Sequence, residues 1–227
     1  ASDVYKRQAT NAPHMLFSED NVVAKFNHNK SQWGLFYNLS ARNFKKTYTD
    51  IDETYVLENK TIHRVQEGLH DQNKHFTHNI DLSYNLTEQD KYVFNVVFRN
   101  SVYDAPCLNQ SNKLYDAADA DNYIFSRLKN KQSSYTPSLD LYYQRTLPKN
   151  QMLTMSVTGT LMHTDNNRLY HEYTPQAEDL AMIETDVTGN KRSIIGEAIY
   201  DKRFKFLVFS AGLRHYQMYA RNEYAGS

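Results

Sequence analysis

The strongest order in the chain is a strict alternation of apolar and polar residues. In the stretch 135–163, Leu139, Leu141 and Tyr143 fall on one side, and Ser138, Asp140 and Gln144 on the other. Leu153, Met155, Val157 and Leu161 then share a side against Thr154, Ser156, Thr158 and Thr160. A period of two predicts strands with one apolar and one polar face. Leu147, Pro148, Lys149 and Asn150 separate the two runs. Pro fixes φ and Asn tolerates a left-handed backbone, so the pair reads as a hairpin. An arm of about fourteen residues at about 3.3 Å each is roughly 46 Å long, well beyond the usual strand of about 5–6 residues.

The same pattern recurs along the chain. Val22, Ala24 and Phe26 alternate weakly, a turn follows at 28–32, and Trp33, Leu35, Tyr37, Leu39 and Ala41 mark the next apolar side. Ile80, Leu82, Tyr84 and Leu86 oppose Asn79, Asp81, Ser83 and Asn85. After a turn at 87–90, Tyr92, Phe94, Val96 and Phe98 oppose Val93, Asn95, Val97 and Arg99. The final pair sets Ile194, Gly196, Ala198 and Tyr200, then a turn at 201–203, before Leu207, Phe209, Ala211 and Leu213 with Ser210, Gly212 and Arg214 opposite. Between these hairpins the stretches 47–72, 104–134 and 164–191 are polar and read as long loops, the first carrying a small hairpin of 54–57 against 61–66.

Antiparallel order then puts every tight turn at one end and every long loop at the other. Loops beyond about 12–15 residues are uncommon in compact domains. The asymmetry matches an outer-membrane barrel. The expected fold is therefore all-β: an antiparallel up-and-down transmembrane β-barrel segment of about eight long strands, with short periplasmic turns and long extracellular loops. The parity nominates Ile80, Leu82, Tyr84, Phe94, Val96, Leu139, Leu141, Met155, Val157, Leu207 and Phe209 as lipid-facing. It nominates Asn79, Asp81, Ser83, Asn85, Arg99, Asp140, Gln144, Thr154, Ser156, Thr158, Glu197 and Arg214 as lumen-lining. The central parts of the apolar parity are expected to be free of ionised residues. Arg145 shares that parity beside a turn, where its side chain can extend to headgroup level. Tyr92, Tyr143 and Tyr200 read as an interfacial aromatic girdle.

Composition sharpens this picture. The 227 residues carry 26 Lys and Arg against 26 Asp and Glu, so there is no basic excess of the kind nucleic-acid binding leaves. Cys107 is the single cysteine, which excludes an intrachain disulfide and reads as an incidental thiol. The 18 Tyr and 11 Phe suit strands and girdles. No apolar run reaches the roughly 18 residues of a membrane helix, whereas alternating barrel strands escape such a test. Residues 1–8 read as a sequence artefact, 9–20 as an irregular lead-in, and 21–227 as a partial barrel domain. Because the strand pattern continues almost to the last residue, the chain is expected to be a piece of a larger protein.

Candidate chemistry is sparse. Asp116, Asp119 and Asp121 offer oxygen ligands suited to calcium, but the glycine and distal glutamate of a well-defined calcium loop are missing, so they read as a solvated loop. His163, His171 and Glu172 lack zinc-site spacing. Asp140 and Glu197 could pair as glycosidase carboxylates, yet on alternating strands they read as lumen charges. Neither a nucleophile elbow nor a phosphate-binding glycine loop occurs. The expectation is no enzyme, no cofactor and no metal.

The runs SLDLYYQRTLPKNQMLTMSVTGT (138–160), HNIDLSYNL (78–86), GLRHYQMY (212–219) and NEYAGS (222–227) resemble the barrel of TonB-dependent-receptor-like outer-membrane proteins of Gram-negative bacteria. The resemblance covers most of the chain after Asp20 and holds no catalytic motif. It implies a fragment of a barrel of about 22 strands around a plug domain. It also implies outer-membrane lipid as a partner, energy coupling to a TonB-type protein through a plug absent here, and import of a scarce nutrient such as a chelated metal or an oligosaccharide. A surface lipoprotein held by the long loops is a further partner to test. The alternatives are a passive porin or surface-binding barrel, and a soluble carbohydrate-binding β-protein whose apolar faces pack on a second sheet.

Overall fold

A computed structural model describes residues 5–11, 15–57 and 60–226. Among the described residues, strand is the only regular structure. The strands are β1 (Tyr5–Asn11), β2 (Met15–His28), β3 (Ser31–Leu57), β4 (Lys60–Leu69), β5 (Asp71–Glu88) and β6 (Tyr92–Leu108), followed by β7 (Gln110–Asp116), β8 (Asp119–Leu147), β9 (Gln151–Tyr173), β10 (Asp179–Arg203) and β11 (Val208–Gly226). All eleven belong to one sheet, and every pairing is antiparallel.

The eleven segments fill eight lanes. β1 and β2 both lie along the same edge of β3. β4 and β5, separated only by His70, run along the opposite side of β3. β6 and β7, separated only by Asn109, continue one another between β4–β5 and β8. Each lane pairs with its neighbours in sequence, which makes an up-and-down meander. The two outer lanes, β1–β2 and β11, are not paired with each other among the described residues.

The turns follow from local chemistry. Asn29 (φ 50°), Asp90 (φ 60°), Lys149 (φ 63°) and Asn150 (φ 57°) take left-handed backbone at three of the tight turns. Asn and Asp do so more readily than other L-residues. Lys91 N–H donates to the Glu88 carbonyl at 3.0 Å to close the second turn. The fourth turn falls at 204–207, where Phe204 N–H donates to the Leu207 carbonyl at 2.8 Å. It lies three residues beyond the expected 201–203, because the β9–β10 ladder continues through Lys202 and β10–β11 pairing through Arg203.

The three polar stretches expected as loops are largely strand. The small hairpin expected inside the first is present, with Ile51 to Leu57 paired against Gln66 to Lys60; residues 58–59 lie outside the described residues. The second forms the upper part of the β6–β7 lane and β8, joined by a tight turn after Asp116 in which Ala118 N–H donates to Asp116 Oδ1 at 2.9 Å. In the third, β9 and β10 run on to a turn at 174–178. These stretches lack alternation because neither face there is apolar. Their backbone groups still need partners, and each extended strand offers a ladder to the next. The irregular lead-in expected at 9–20 is also strand where described, with Ala9 to Asn11 paired to β3 and Met15 to Asp20 likewise. Tyr5 to Gln8, set aside on sequence grounds, pair with Thr54 to Ile51.

Two ladder irregularities lie beside the far turns, between Tyr115 and Asp116 and between Asp179 and Ala181. Two more sit just above the alternating region, where the register shifts between Phe44 and Thr47, and between Lys74 and Phe76. Gly68 lies near this level, where an added Cβ would stand 2.5 Å from the Thr49 backbone nitrogen. Only glycine permits that approach.

The sheet is a single layer. Ala105 and Leu114 are the only buried apolar residues among the described ones. The accessible area is 15653 Å². A compact monomer of 26.6 kDa would expose roughly 10,700 Å². The excess is what two uncovered sheet faces produce.

Candidate functional site

Because paired residues share a face, the register fixes what each face carries. On one face the strands bring apolar residues into successive rows. Leu35, Leu82, Phe98, Leu139 and Ile194 make one row. Trp33, Tyr84, Val96, Leu141 and Val157 make the next toward the tight turns. Leu86, Phe94, Tyr143 and Met155 follow, and then Tyr92, Arg145, Leu153 and Tyr200 border the turns. On the far side, Tyr37, Ile80 and Leu161 form the last row in which apolar groups predominate. Beyond it stand His78, Tyr135, His163, Asn190 and Arg221. Rings cluster at this border: Tyr37 faces His78 at 6.2 Å and Tyr135 faces His163 at 5.1 Å between centroids.

These apolar side chains have no cover. Leu82 is 42% exposed, Leu161 49% and Ile194 47%, although all lie well inside the sheet. Apolar groups this open in mid-sheet form a patch of the kind that marks an interaction surface.

The opposite face carries the charged and amide side chains, bonded to one another, alongside apolar residues such as Phe36, Val97, Ile195 and Ile199. Asn38 Nδ2 donates to Asn21 Oδ1 at 2.9 Å, Asn79 Nδ2 to Asn38 Oδ1 at 3.2 Å, and Ser101 Oγ to Asn79 Oδ1 at 2.8 Å. This ladder spans four lanes. Asn95 donates to Asn85 nearby. Arg99 donates to Asp140, whose other oxygen accepts from Thr158 Oγ1 at 2.8 Å. Gln144 accepts from Tyr142 Oη at 2.6 Å. Glu197 stands opposite Ser156 in β9 and Arg214 in β11.

All the residues nominated as lumen-lining fall together on this polar face. Of those nominated as lipid-facing, Ile80, Leu82, Tyr84, Phe94, Val96, Leu139, Leu141, Met155, Val157 and Phe209 share the apolar one, with Phe209 near its turn end opposite Lys202. Leu207 does not belong with them. It lies in the turn, because β10 extends further than the alternation suggested.

The apolar face also carries polar residues that the sequence reading did not place there. His215 is in the central row, opposite Gly196, and Gln217 in the next, opposite Ile194. Asn100 and Arg192 lie in the border row with Ile80 and Leu161. His215 is thus a titratable group in the central band that the alternation had not been followed far enough to place. Extending the alternation two residues past Leu213 would have found it. Asn100 Oδ1 is buried without a hydrogen-bond partner among the described residues.

Above the border the sheet is studded with polar pairs. His163 Nδ1 pairs with Asn190 Oδ1 and its Nε2 with Asp165 Oδ2, each at 2.8 Å. Those acceptors, Asn190 first, raise the His163 pKa. Thr188 Oγ1 bonds Asp165 Oδ1 at 2.9 Å, and with His163 this lowers the Asp165 pKa against some desolvation. His171 bonds Asp179 at 2.7 Å, and Tyr170 donates to Glu172. Burial and then that glutamate push the Tyr170 hydroxyl up to about 12. Asp116 and Asp119 oppose each other across their turn, with Asp121 following on β8. No group of three or more His, Cys, Asp or Glu side chains is placed to hold a metal among the described residues. Asp140 and Glu197 are separated by the whole of β9, with Asp140 engaged by Arg99 and Thr158.

No protein-family model matches the chain, and no curated protein matches it closely.

Proposed function

We propose that the chain is part of an outer-membrane β-barrel whose apolar face meets lipid and whose polar face lines the interior. The observation that carries this reading is the single-layer sheet with an apolar band on one face and nothing over it. Inside a bilayer every backbone N–H and C=O must be paired within the sheet, which this meander does for all but its outer lanes. From Tyr92 to Asn100, across the band, eight residue steps span roughly 26 Å of strand, or about 20 Å of height at a tilt near 40°. With the ring-bearing row of Val102 and Tyr135 that borders it, the span comes to about 25 Å, the height of the apolar band in such barrels. The border rings of Tyr37 and Tyr135 on one side, and Tyr92 and Tyr200 on the other, suit the two interfaces.

The sheet is also lopsided about this band. At one end the turns follow the band almost directly. At the other, β8 continues from Pro137 back to Asp119 and β9 from Leu161 to Tyr173 as polar sheet. We assign the short-turn end to the periplasm and the polar extension to the cell surface. A soluble carbohydrate-binding protein is less well supported, because the described strands form no second sheet for the apolar face to pack against.

Within the barrel reading, the resemblance of residues 78–86, 138–160 and 212–227 favours a TonB-dependent-receptor-like transporter that imports a scarce nutrient, a chelated metal or an oligosaccharide. Such a protein would couple to a TonB-type partner through a plug domain. The test has two stages. Purified protein is floated with phosphatidylcholine vesicles while the emission of Trp33, 53% exposed on the apolar face, is followed. Flotation with a blue shift supports the barrel, and protein left at the bottom with unshifted emission refutes it. Uptake in the host is then compared before and after the membrane is de-energised. Loss of uptake supports energy coupling, and unchanged uptake supports a passive pore.

A further inference from the structure

The four tight turns at the short-turn end are not alike. The first two are polar and balanced in charge: Glu88 pairs with Lys30 at 3.0 Å and with Lys91 at 2.7 Å, and Asp90 stands beside them. The third and fourth lie side by side, since Arg203 N–H donates to the Asn150 carbonyl at 2.9 Å. Over residues 145–151 and 201–207 they carry Arg145, Lys149, Lys202, Arg203 and Lys205 against a single carboxylate, Asp201, which accepts from Ser210. None of these five cations has a carboxylate partner among the described residues. The fourth turn is also apolar at its tip. Phe206 is 89% exposed, more than any other large apolar residue described, and Phe204 and Leu207 beside it are exposed as well. The Lys202 ammonium lies 5.3 Å from the Phe204 ring centre, and that of Lys205 lies 5.3 Å from the ring centre of Phe206. Rings and cations therefore share one tip.

We propose that the paired turns 145–151 and 201–207 form a cationic and aromatic anchor for the anionic phospholipid headgroups of the leaflet on the short-turn side. The inference rests on the membrane reading above and adds to it a lipid class and a side. Height supports it. Tyr200 borders the apolar band, and Lys202, opposite Gln151 and Phe209, is the next residue on the same face, about 7 Å further along the strand. That is headgroup level, where rings reach the acyl boundary while Lys and Arg extend to phosphate. Charge supports it as well. A neutral headgroup layer would cover the rings but leave the excess of cations unmatched, whereas an anionic one meets both. An acidic protein surface would match the charge, but the tip follows the band so closely that headgroups reach it first.

The experiment moves the single tryptophan to the tip by combining Trp33→Phe with Phe206→Trp. This protein is reconstituted in phosphatidylcholine vesicles holding a minority of phosphatidylglycerol, and insertion is checked by flotation. Indole emission is then quenched by bromine carried on the acyl chains of one lipid or of the other, which gives the preference of the tip between the two. Near an anionic surface each Lys or Arg is worth roughly fivefold. The expected preference for phosphatidylglycerol is therefore about fivefold or more. It should fall to about one in high salt, and likewise when Lys202→Gln, Arg203→Gln and Lys205→Gln are combined. A preference near one before those changes, or one that survives both, would overturn the anchor while flotation leaves the barrel reading standing. Emission quenched by neither lipid in floating protein would place the tip in water or against another protein, and would overturn the anchor too. Failure of the unaltered protein to float would overturn both readings, so flotation tells the two failures apart.

Discussion

Val157 and Ser156 are adjacent in sequence and opposite in environment, so one pair of substitutions tests which face meets lipid. Val157 lies between Leu141 and Gly196 and is 38% exposed. Along β9 it is midway between Leu153, beside the turn, and Leu161, at the polar border. Four residues to either side amount to about 13 Å, further than an arginine side chain can reach. Val157→Arg should therefore cost about 2–4 kcal/mol, the midplane penalty for a lipid-facing arginine. That is roughly 30- to 700-fold in the ratio of inserted to free protein. Ser156→Arg points from the polar face beside Tyr142 and Glu197, and should cost less than about 1 kcal/mol. Leu153→Arg, at the interface, should cost about 0–1 kcal/mol. The assay is urea titration of each variant in phosphatidylcholine vesicles, read by Trp33 emission. Equal penalties for Val157→Arg and Ser156→Arg would mean that the faces have been misassigned. An equal penalty for Leu153→Arg and Val157→Arg would mean that the apolar face is covered by protein, since only a bilayer grades the cost with depth.

The amide ladder gives a second prediction. Asn79→Leu strands the Asn38 carbonyl oxygen and the Ser101 hydroxyl, and should lower stability by about 1–3 kcal/mol, whereas Asn79→Ser should cost less; equal urea midpoints for Asn79→Leu and the parent would refute it. A third concerns pH. The raised His163 pKa means its contribution is complete below its unfolded value of about 6.5 and is lost as pH rises through the higher folded value; the lowered Asp165 pKa means its contribution is complete above about 3.9 and is lost as pH falls through the lower folded value. The urea midpoint should thus fall between pH 5.5 and 8.5, and His163→Gln should flatten that fall; parallel profiles would contradict the assignment. Lys149→Gly relieves a left-handed lysine (φ 63°) and should raise stability by about 1 kcal/mol, read as a higher urea midpoint, with a lower midpoint as the opposing result. Finally, the outer lanes leave long unpaired edges at β2 and β11, so the chain in water without detergent should associate; a monomer that melts cooperatively there would argue against an incomplete barrel.

Alternation alone determined which residues share a face in the middle of the sheet. From Ile80 to Leu86, or Leu153 to Leu161, side chains must point to opposite sides in turn, so the two faces can be read from one strand without its neighbours. Three of the four tight turns were legible for a similar reason, since Asn29, Asp90 and Asn150 carry the left-handed backbone locally. That 54–57 folds back on 61–66 was also legible from sequence, although the observed ladder is one residue closer, with Leu57 opposite Lys60.

The polar stretches were not. Residues 104–134 have no apolar side, so periodicity reports nothing, and their strand conformation comes from ladders supplied by β4, β8 and β9. The same dependence carried β10 past the expected turn and left Leu207 off the apolar face. It also took register to show that Gly159 lies between Leu139 and Ile194, and that Arg192 shares a row with Tyr219. A strand's own sequence sets the side to which each residue points. Which residues stand beside it across the sheet is set by hydrogen-bond register between strands far apart in the chain, and only the folded sheet fixes that register.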